Sequence, residues 1–129
     1  MAKPTIEARL QRKYIVMSSD MPLVERLRHA TPEGWSMVHC EALAELGEFH
    51  DVLLHRFLLL DLEERNLFDP IDIIREVRTE LMLNIAIFCF GGSPELRDEA
   101  RLNRADRFFE RDEIVDKMLL YCEQYGWGG

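Results

Sequence analysis

Apolar residues fall in two alternating rhythms along this chain. Short, nearly unbroken runs occur at Tyr14-Ile15-Val16-Met17, at Trp35 with Met37 and Val38, at Phe57-Leu58-Leu59-Leu60, at Ile85-Ala86-Ile87-Phe88-Cys89-Phe90 and briefly at Phe108-Phe109. Such runs suit strands buried on both faces. Between them, apolar residues recur at helical spacing: Leu23, Val24 and Leu27; Leu43, Leu46 and Phe49; Ile73, Ile74, Val77 and Leu81; Leu96, Ala100 and Leu102; Ile114, Val115, Met118, Leu119 and Cys122. Five strands alternating with five helices are therefore predicted. With right-handed crossovers, that alternation gives a parallel sheet covered by helices on both faces.

The punctuation agrees. Pro22 suits the first turn of a helix, and Thr31-Pro32-Glu33-Gly34 ends it. Residues 41–49 read as the second helix. Asp69-Pro70 and Ser93-Pro94 pair a capping side chain with a proline at the first helical position. Residues 1–12 read as a polar lead-in with at most a weak turn of helix, 13–125 as one domain, and the glycine-rich 126–129 as a flexible tail.

One position breaks the apolar logic. In Arg56-Phe57-Leu58-Leu59-Leu60-Asp61-Leu62 a carboxylate stands where the most apolar strand emerges, which packing does not explain. In open α/β sheets, ligands sit beyond the carboxyl ends of the strands. Ser19 and Asp20 follow the first strand, Cys89 lies near the end of the fourth and Arg111 follows the fifth, so all are expected to converge with Asp61 on one shallow pocket. Hard oxygen ligands beside a cation are the chemistry that holds Mg²⁺ and a phosphoryl group. Each residue also has a structural reading: Asp61 salt-bridged to Arg111, Asp20 capping the helix at Pro22, Cys89 as a small buried hydrophobe.

Composition narrows the classes. The chain has 129 residues, enough for one domain, and a net charge of −8, with Asp61, Glu63, Glu64, Asp69 and Asp72 close together. That sign repels phosphate backbones, so no nucleic-acid partner is expected. Cys40, Cys89 and Cys122 are odd in number and lack CxxC spacing, which reads as reduced structural thiols. His29, His39, His50 and His55 show no ligand spacing. No apolar run approaches the ~20 residues of a bilayer span, and the N-terminal residues lack a signal-peptide pattern, so a cytoplasmic protein without membrane association is expected.

On these residues the chain resembles the receiver domain of bacterial two-component response regulators over about residues 13–125. Met17-Ser18-Ser19-Asp20-Met21-Pro22 fits the end of that family's first strand, with Ser19 and Asp20 at its acidic-pair positions. Phe57-Leu58-Leu59-Leu60-Asp61-Leu62 looks like the segment that ends in the phosphorylated aspartate, making Asp61 the phosphoacceptor candidate and Asp20 and Asp61 the metal candidates. Cys89 replaces the family's Thr or Ser, Arg111 replaces its Lys, and Phe108 falls on its aromatic switch position. Ser19, Cys89 and Arg111 depart from the pattern, and so does the loop after Asp61, which marks a degenerate, pseudo-receiver-like member.

The resemblance implies a CheY-like, flavodoxin-like three-layer sandwich with strand order 2-1-3-4-5. It implies a stand-alone signalling module, not an enzyme, acting by protein–protein interaction independently of phosphorylation. The implied docking face is about residues 94–125, whose Glu95, Arg97, Asp98, Glu99 and Arg101 suit a histidine kinase, a downstream target or a second copy of the chain. Conventional phosphorylation of Asp61 by a histidine kinase, with Mg²⁺ as cofactor, is the alternative. A flavodoxin-like enzyme or nucleotide-binding protein is the third reading, although no glycine-rich phosphate loop follows the first strand and no nucleophile–base pair is visible.

Overall fold

The computed structural model describes residues 10–127, so most of the lead-in expected at 1–12, and the last two residues of the tail, lie outside the described residues. The apolar runs form β1 (Arg12–Met17), β2 (Trp35–His39), β3 (Phe57–Asp61), β4 (Ala86–Phe90) and β5 (Arg107–Phe109). All pair in parallel, in the order β2-β1-β3-β4-β5, as expected. The helices are α1 (Met21–Ala30), α2 (Phe49–Leu53), α3 (Pro70–Arg75), α4 (Pro94–Leu102) and α5 (Ile114–Gln124). Among the described residues, no helix is long and apolar enough to cross a membrane.

Strand alternation divides the core into two layers. Ile15, Met17, Leu58, Leu60, Ile87 and Cys89 pack on one face, against Val52, Ile74, Val77 and Ala100. Tyr14, Val16, Phe57, Leu59, Phe88 and Phe90 pack on the other, against Leu23, Val24 and Leu27 of α1 and Ile114, Met118 and Cys122 of α5. This second layer is aromatic, with Tyr14 stacked on Phe57 at 5.0 Å and Phe88 on Tyr121 at 4.0 Å.

The caps form where proline and capping residues predicted them: Asp20, Asp69 and Ser93 accept from the N–H groups of Leu23, Ile71 and Leu96. The second crossover differs. Residues 41–49 were expected as one helix with Leu43, Leu46 and Phe49 inward; instead a 3₁₀ turn at Leu43–Leu46 precedes a short α2, and Phe49 is exposed. Gly47 separates them at φ +114°, where a Cβ would meet Asp51 Oδ2 at 2.3 Å. Only glycine fits that turn, and Val52 takes the buried position. Leu119, expected inward, faces outward, and so does Leu102 at the end of α4. Beyond α3 the chain winds as a π-helical turn through Glu76–Glu80.

Of the tail expected to be flexible, the described part reaches Trp127, which lies against Arg56. Arg56, 6% exposed at the start of β3, donates from Nη1 to the carbonyls of Tyr125 (2.7 Å) and Trp127 (2.8 Å). It also donates from Nη2 to Leu10, and its guanidinium lies 3.5 Å from the centroid of the Trp127 ring.

Phe57 touches Tyr14, Trp35, Phe88, Tyr121 and Tyr125 at the centre of the aromatic layer. Phe57→Ala is expected to destabilise the fold by about 3–5 kcal/mol, read from urea midpoints. A loss below ~1 kcal/mol would show that the layer collapses to fill the void.

Candidate functional site

The sheet reverses its winding between β1 and β3, whose carboxyl ends lie side by side with Met17 opposite Leu60. Just past that pair stand Ser18 and Asp61. Both continue the aromatic-layer phase of their strands, after Tyr14 and Val16 and after Phe57 and Leu59.

Asp61 is only 3% exposed. Its Oδ2 accepts from Ser18 Oγ at 2.7 Å, and its Oδ1 accepts from Arg111 Nη2 at 2.6 Å and from the Glu63 N–H at 2.9 Å. A buried carboxylate needs this, since its charge is costly without hydrogen bonds and a counter-charge.

Arg111 lies in a 3₁₀ turn just after β5 and reaches back across the sheet edge. Nη1 donates to Asp20 Oδ2 at 2.9 Å, Nη2 to Asp61, and Nε to Glu63 Oε1 at 3.0 Å. Burial works against the guanidinium charge, but Asp61 and Glu63 outweigh it and push its pKa up. Asp20 serves twice, capping α1 with Oδ1 and holding Arg111 with Oδ2.

Of the other expected site residues, Ser19 lines the pocket, and Cys89 and Phe108 do not. Ser19 is exposed and its N–H donates to Glu64 Oε1 at 2.7 Å, so the residue facing Asp61 is Ser18, one position earlier. Cys89 is fully buried in the opposite core layer, paired in register with Leu60 and Phe108; burial pushes its thiol up to about 12. It does not line the pocket. Asp61 pairs in register with Phe90, and the residue beneath the pocket's Glu63 is Gly91. Phe108 is half-buried against the same layer as Cys89, with the Arg101 guanidinium 4.7 Å from its ring centroid.

Two residues not expected in the site are central to it. Glu63 holds Arg111, and Glu64, nearly buried, accepts from the N–H groups of Ser19, Asn66 and Leu67. Burial pushes the Glu64 carboxyl up, but these bonds and one from the Ser19 side chain outweigh it and hold it below its ordinary value. Their signal in the sequence was the run Asp61-Leu62-Glu63-Glu64, acids crowded where the central strand emerges. Together these groups line an open cavity of about 340 Å³ formed by Ser19, Asp20, Asp61, Glu63, Glu64, Arg65, Asn66 and Arg111.

The residues present do not fit Mg²⁺. Such an ion needs several oxygens directed at one point, whereas the guanidinium of Arg111 stands between Asp20 and Asp61 and bonds both. Among the described residues, no group of three or more His, Cys, Asp or Glu is placed to hold a metal ion.

No family model matches the chain, and no curated protein matches it by sequence. Solved structures do match. The signal receiver domain of a response regulator from Bermanella marisrubri is 18% identical, with a TM-score of 0.65 over 83% of this chain and 94% of its own. The receiver domain of a DNA-binding response regulator from Colwellia psychrerythraea is 14% identical, with a TM-score of 0.65 over 88% and 99%. The phosphorylated cyanobacterial phytochrome response regulator RcpA is 13% identical, with a TM-score of 0.73 over 92% and 96%.

The fold is that of a signal receiver domain. The receiver fold explains why Asp20, Asp61 and Arg111, far apart in sequence, share one edge, since β1, β3 and β5 run in parallel and deliver their carboxyl ends there.

Two predictions test this geometry. Ser18→Ala, which strips a buried partner from Asp61, is expected to cost about 1–3 kcal/mol by chemical denaturation. Because the folded Glu64 carboxyl titrates below its ordinary value of 4.5, its stabilisation is complete above that pH and is lost as pH falls toward the lowered value. Denaturation midpoints measured across that range should show an acid limb that Glu64→Gln flattens.

Proposed function

We propose that this chain is a degenerate member of the receiver family, a signalling module that acts by binding another protein and whose strand-end site is held by its own arginine instead of being switched by phosphorylation. The observation that carries this reading is the bridge from Arg111 to Asp20, Asp61 and Glu63. Phosphoryl transfer to a carboxylate requires a free oxygen in line with the donor and a cation to offset the gathering negative charge. Both oxygens of Asp61 are engaged, and the cation is spent on neighbouring carboxylates.

The rest of the chain supports a fixed binding surface. Arg97 donates from Nε to the Gly91 carbonyl and from Nη2 to the Phe109 carbonyl, both at 3.0 Å, locking α4 to the ends of β4 and β5. The face spanning about residues 94–125 displays Leu102, Leu119 and Leu120 among Glu95, Asp98, Glu99 and Arg101. That mixture of apolar anchors and paired charges suits a protein partner. The partner is a kinase, a downstream target or a second copy of the chain.

The test is intact-mass spectrometry after incubation with acetyl phosphate and Mg²⁺. No phosphoryl adduct is expected on the wild-type chain, with a spectrum indistinguishable from that of Asp61→Asn. An adduct that requires Mg²⁺ and disappears in Asp61→Asn would overturn the reading in favour of conventional phosphorylation.

A further inference from the structure

At the amino edge of the sheet, opposite the Arg111 site, an open cavity of about 660 Å³ lies among the end of α2, the entries of β3 and β4 and the residues after α5. Its walls are mainly Leu53, Leu54, Ile85, Ala86 and Trp127. Leu53 and Trp127 remain 52% and 59% exposed, so water meets large apolar side chains here. That size and lining suit a small molecule, provided that a few polar groups orient it.

The two buried polar residues at the cavity differ in what they offer. Arg56 is committed: Nη1 and Nη2 donate to the carbonyls of Tyr125, Trp127 and Leu10, and Nε is sealed from solvent. It leaves no free donor for an incoming anion. His55 is 7% exposed, yet its ring borders the cavity. Nδ1 lies 3.0 Å from the Asp51 carbonyl and 3.3 Å from that of Val52, and carbonyls only accept, so Nδ1 carries the proton. Burial and the Lys13 charge lower the pKa of this ring, outweighing those two bonds and the Asp51 charge, so it is neutral at pH 7.

Nε2 is then a bare acceptor. Among the described residues it has no partner, and it is not one of the unpartnered nitrogens sealed from solvent, which are Arg12 Nε and Arg56 Nε. An acceptor at an apolar hollow is costly until a donor reaches it. Trp127 adds a preference of shape. One face of its ring is covered by the Arg56 guanidinium at 3.5 Å while the residue stays more than half exposed, which leaves the other face open to stacking.

From these features we propose that the cavity binds a neutral, flat, largely apolar aromatic small molecule carrying one O–H or N–H group, which donates to His55 Nε2. The site is independent of the Arg111 bridge and of the reading built on it. Its occupant touches the end of α2, the entry of β4 and the chain beyond α5 together, so binding braces three segments that follow one another only at long range in the sequence.

The test is titration of the full-length chain with 2-naphthol and with 2-methoxynaphthalene, which keeps the rings and lacks the donor. Binding is followed by NMR at the His55 ring nitrogens and the Ile85 and Ala86 amides. 2-Naphthol is expected to shift these resonances saturably and to bind at least ~5-fold more tightly than the ether, the effect of one hydrogen bond. His55→Asn keeps an N–H₂ where His55 has Nδ1 and has no atom at the Nε2 position, so the preference is expected to vanish. Leu53→Ser, at an exposed wall position, is expected to weaken both compounds while amide dispersion reports an intact fold. Equal affinity of the two compounds for wild type, a preference that survives in folded His55→Asn, or no saturable shift at Ile85 and Ala86 would overturn the inference. The comparison of the two compounds on wild type decides the matter even where His55→Asn fails to fold.

Discussion

A carboxylate at the mouth of a strand buried on both faces is the constraint around which this molecule is arranged. Asp61 cannot shed its charge cost to water, because Leu59 and Leu60 before it and Leu62 after it are sealed in the core. It is met instead by a hydroxyl from β1's end, an N–H from its own loop and a guanidinium from beyond β5. Those three partners come from three places in the sequence, so the carboxylate is satisfied only when the carboxyl edge of the sheet is assembled. Removing the guanidinium alone would leave a buried charge without its counter-ion, the costly case for ion pairs.

Arginine is used the same way at other corners. At the opposite edge Arg56 gathers the carbonyls of Leu10, Tyr125 and Trp127. Arg78, beside α3, binds the carbonyls of Leu83 and Ile85 and the carboxylate of Asp106, joining the π-helical turn to the entries of β4 and β5. Arg97 does so at the exits of β4 and β5. A rigid fork with five donors can satisfy several loop carbonyls that have no ladder partner. The loops at both ends of the sheet are thereby held by side chains instead of by regular structure.

Much of the fold could be read from the chain. The apolar runs marked all five strands, and Asp69-Pro70 and Ser93-Pro94 marked two helix starts to the residue. The second crossover was misread because Leu43, Leu46 and Phe49 keep helical spacing, while the backbone at Gly47 has a positive φ that spacing cannot reveal. In the site, Ser19, Asp20, Asp61 and Arg111 could be named in advance, but Ser18 was passed over as the partner of Asp61 and Cys89 was placed out of phase. A one-residue error along a strand moves a side chain to the opposite face of the sheet. Ser18 holds the Asp61 face, and Cys89 packs in the other core layer.

The sequence by itself determined the strand and helix order, the two-faced core and the presence of a carboxylate that packing alone does not explain, because these follow from local periodicity and the cost of burying charge. Only the tertiary structure decided that Arg111 lies between Asp20 and Asp61, that Glu63 rests over Gly91, and that Arg56 draws both described ends of the chain together. Those contacts join residues 28 to 91 positions apart. Such distances close through strand register and loop path, which no local pattern encodes.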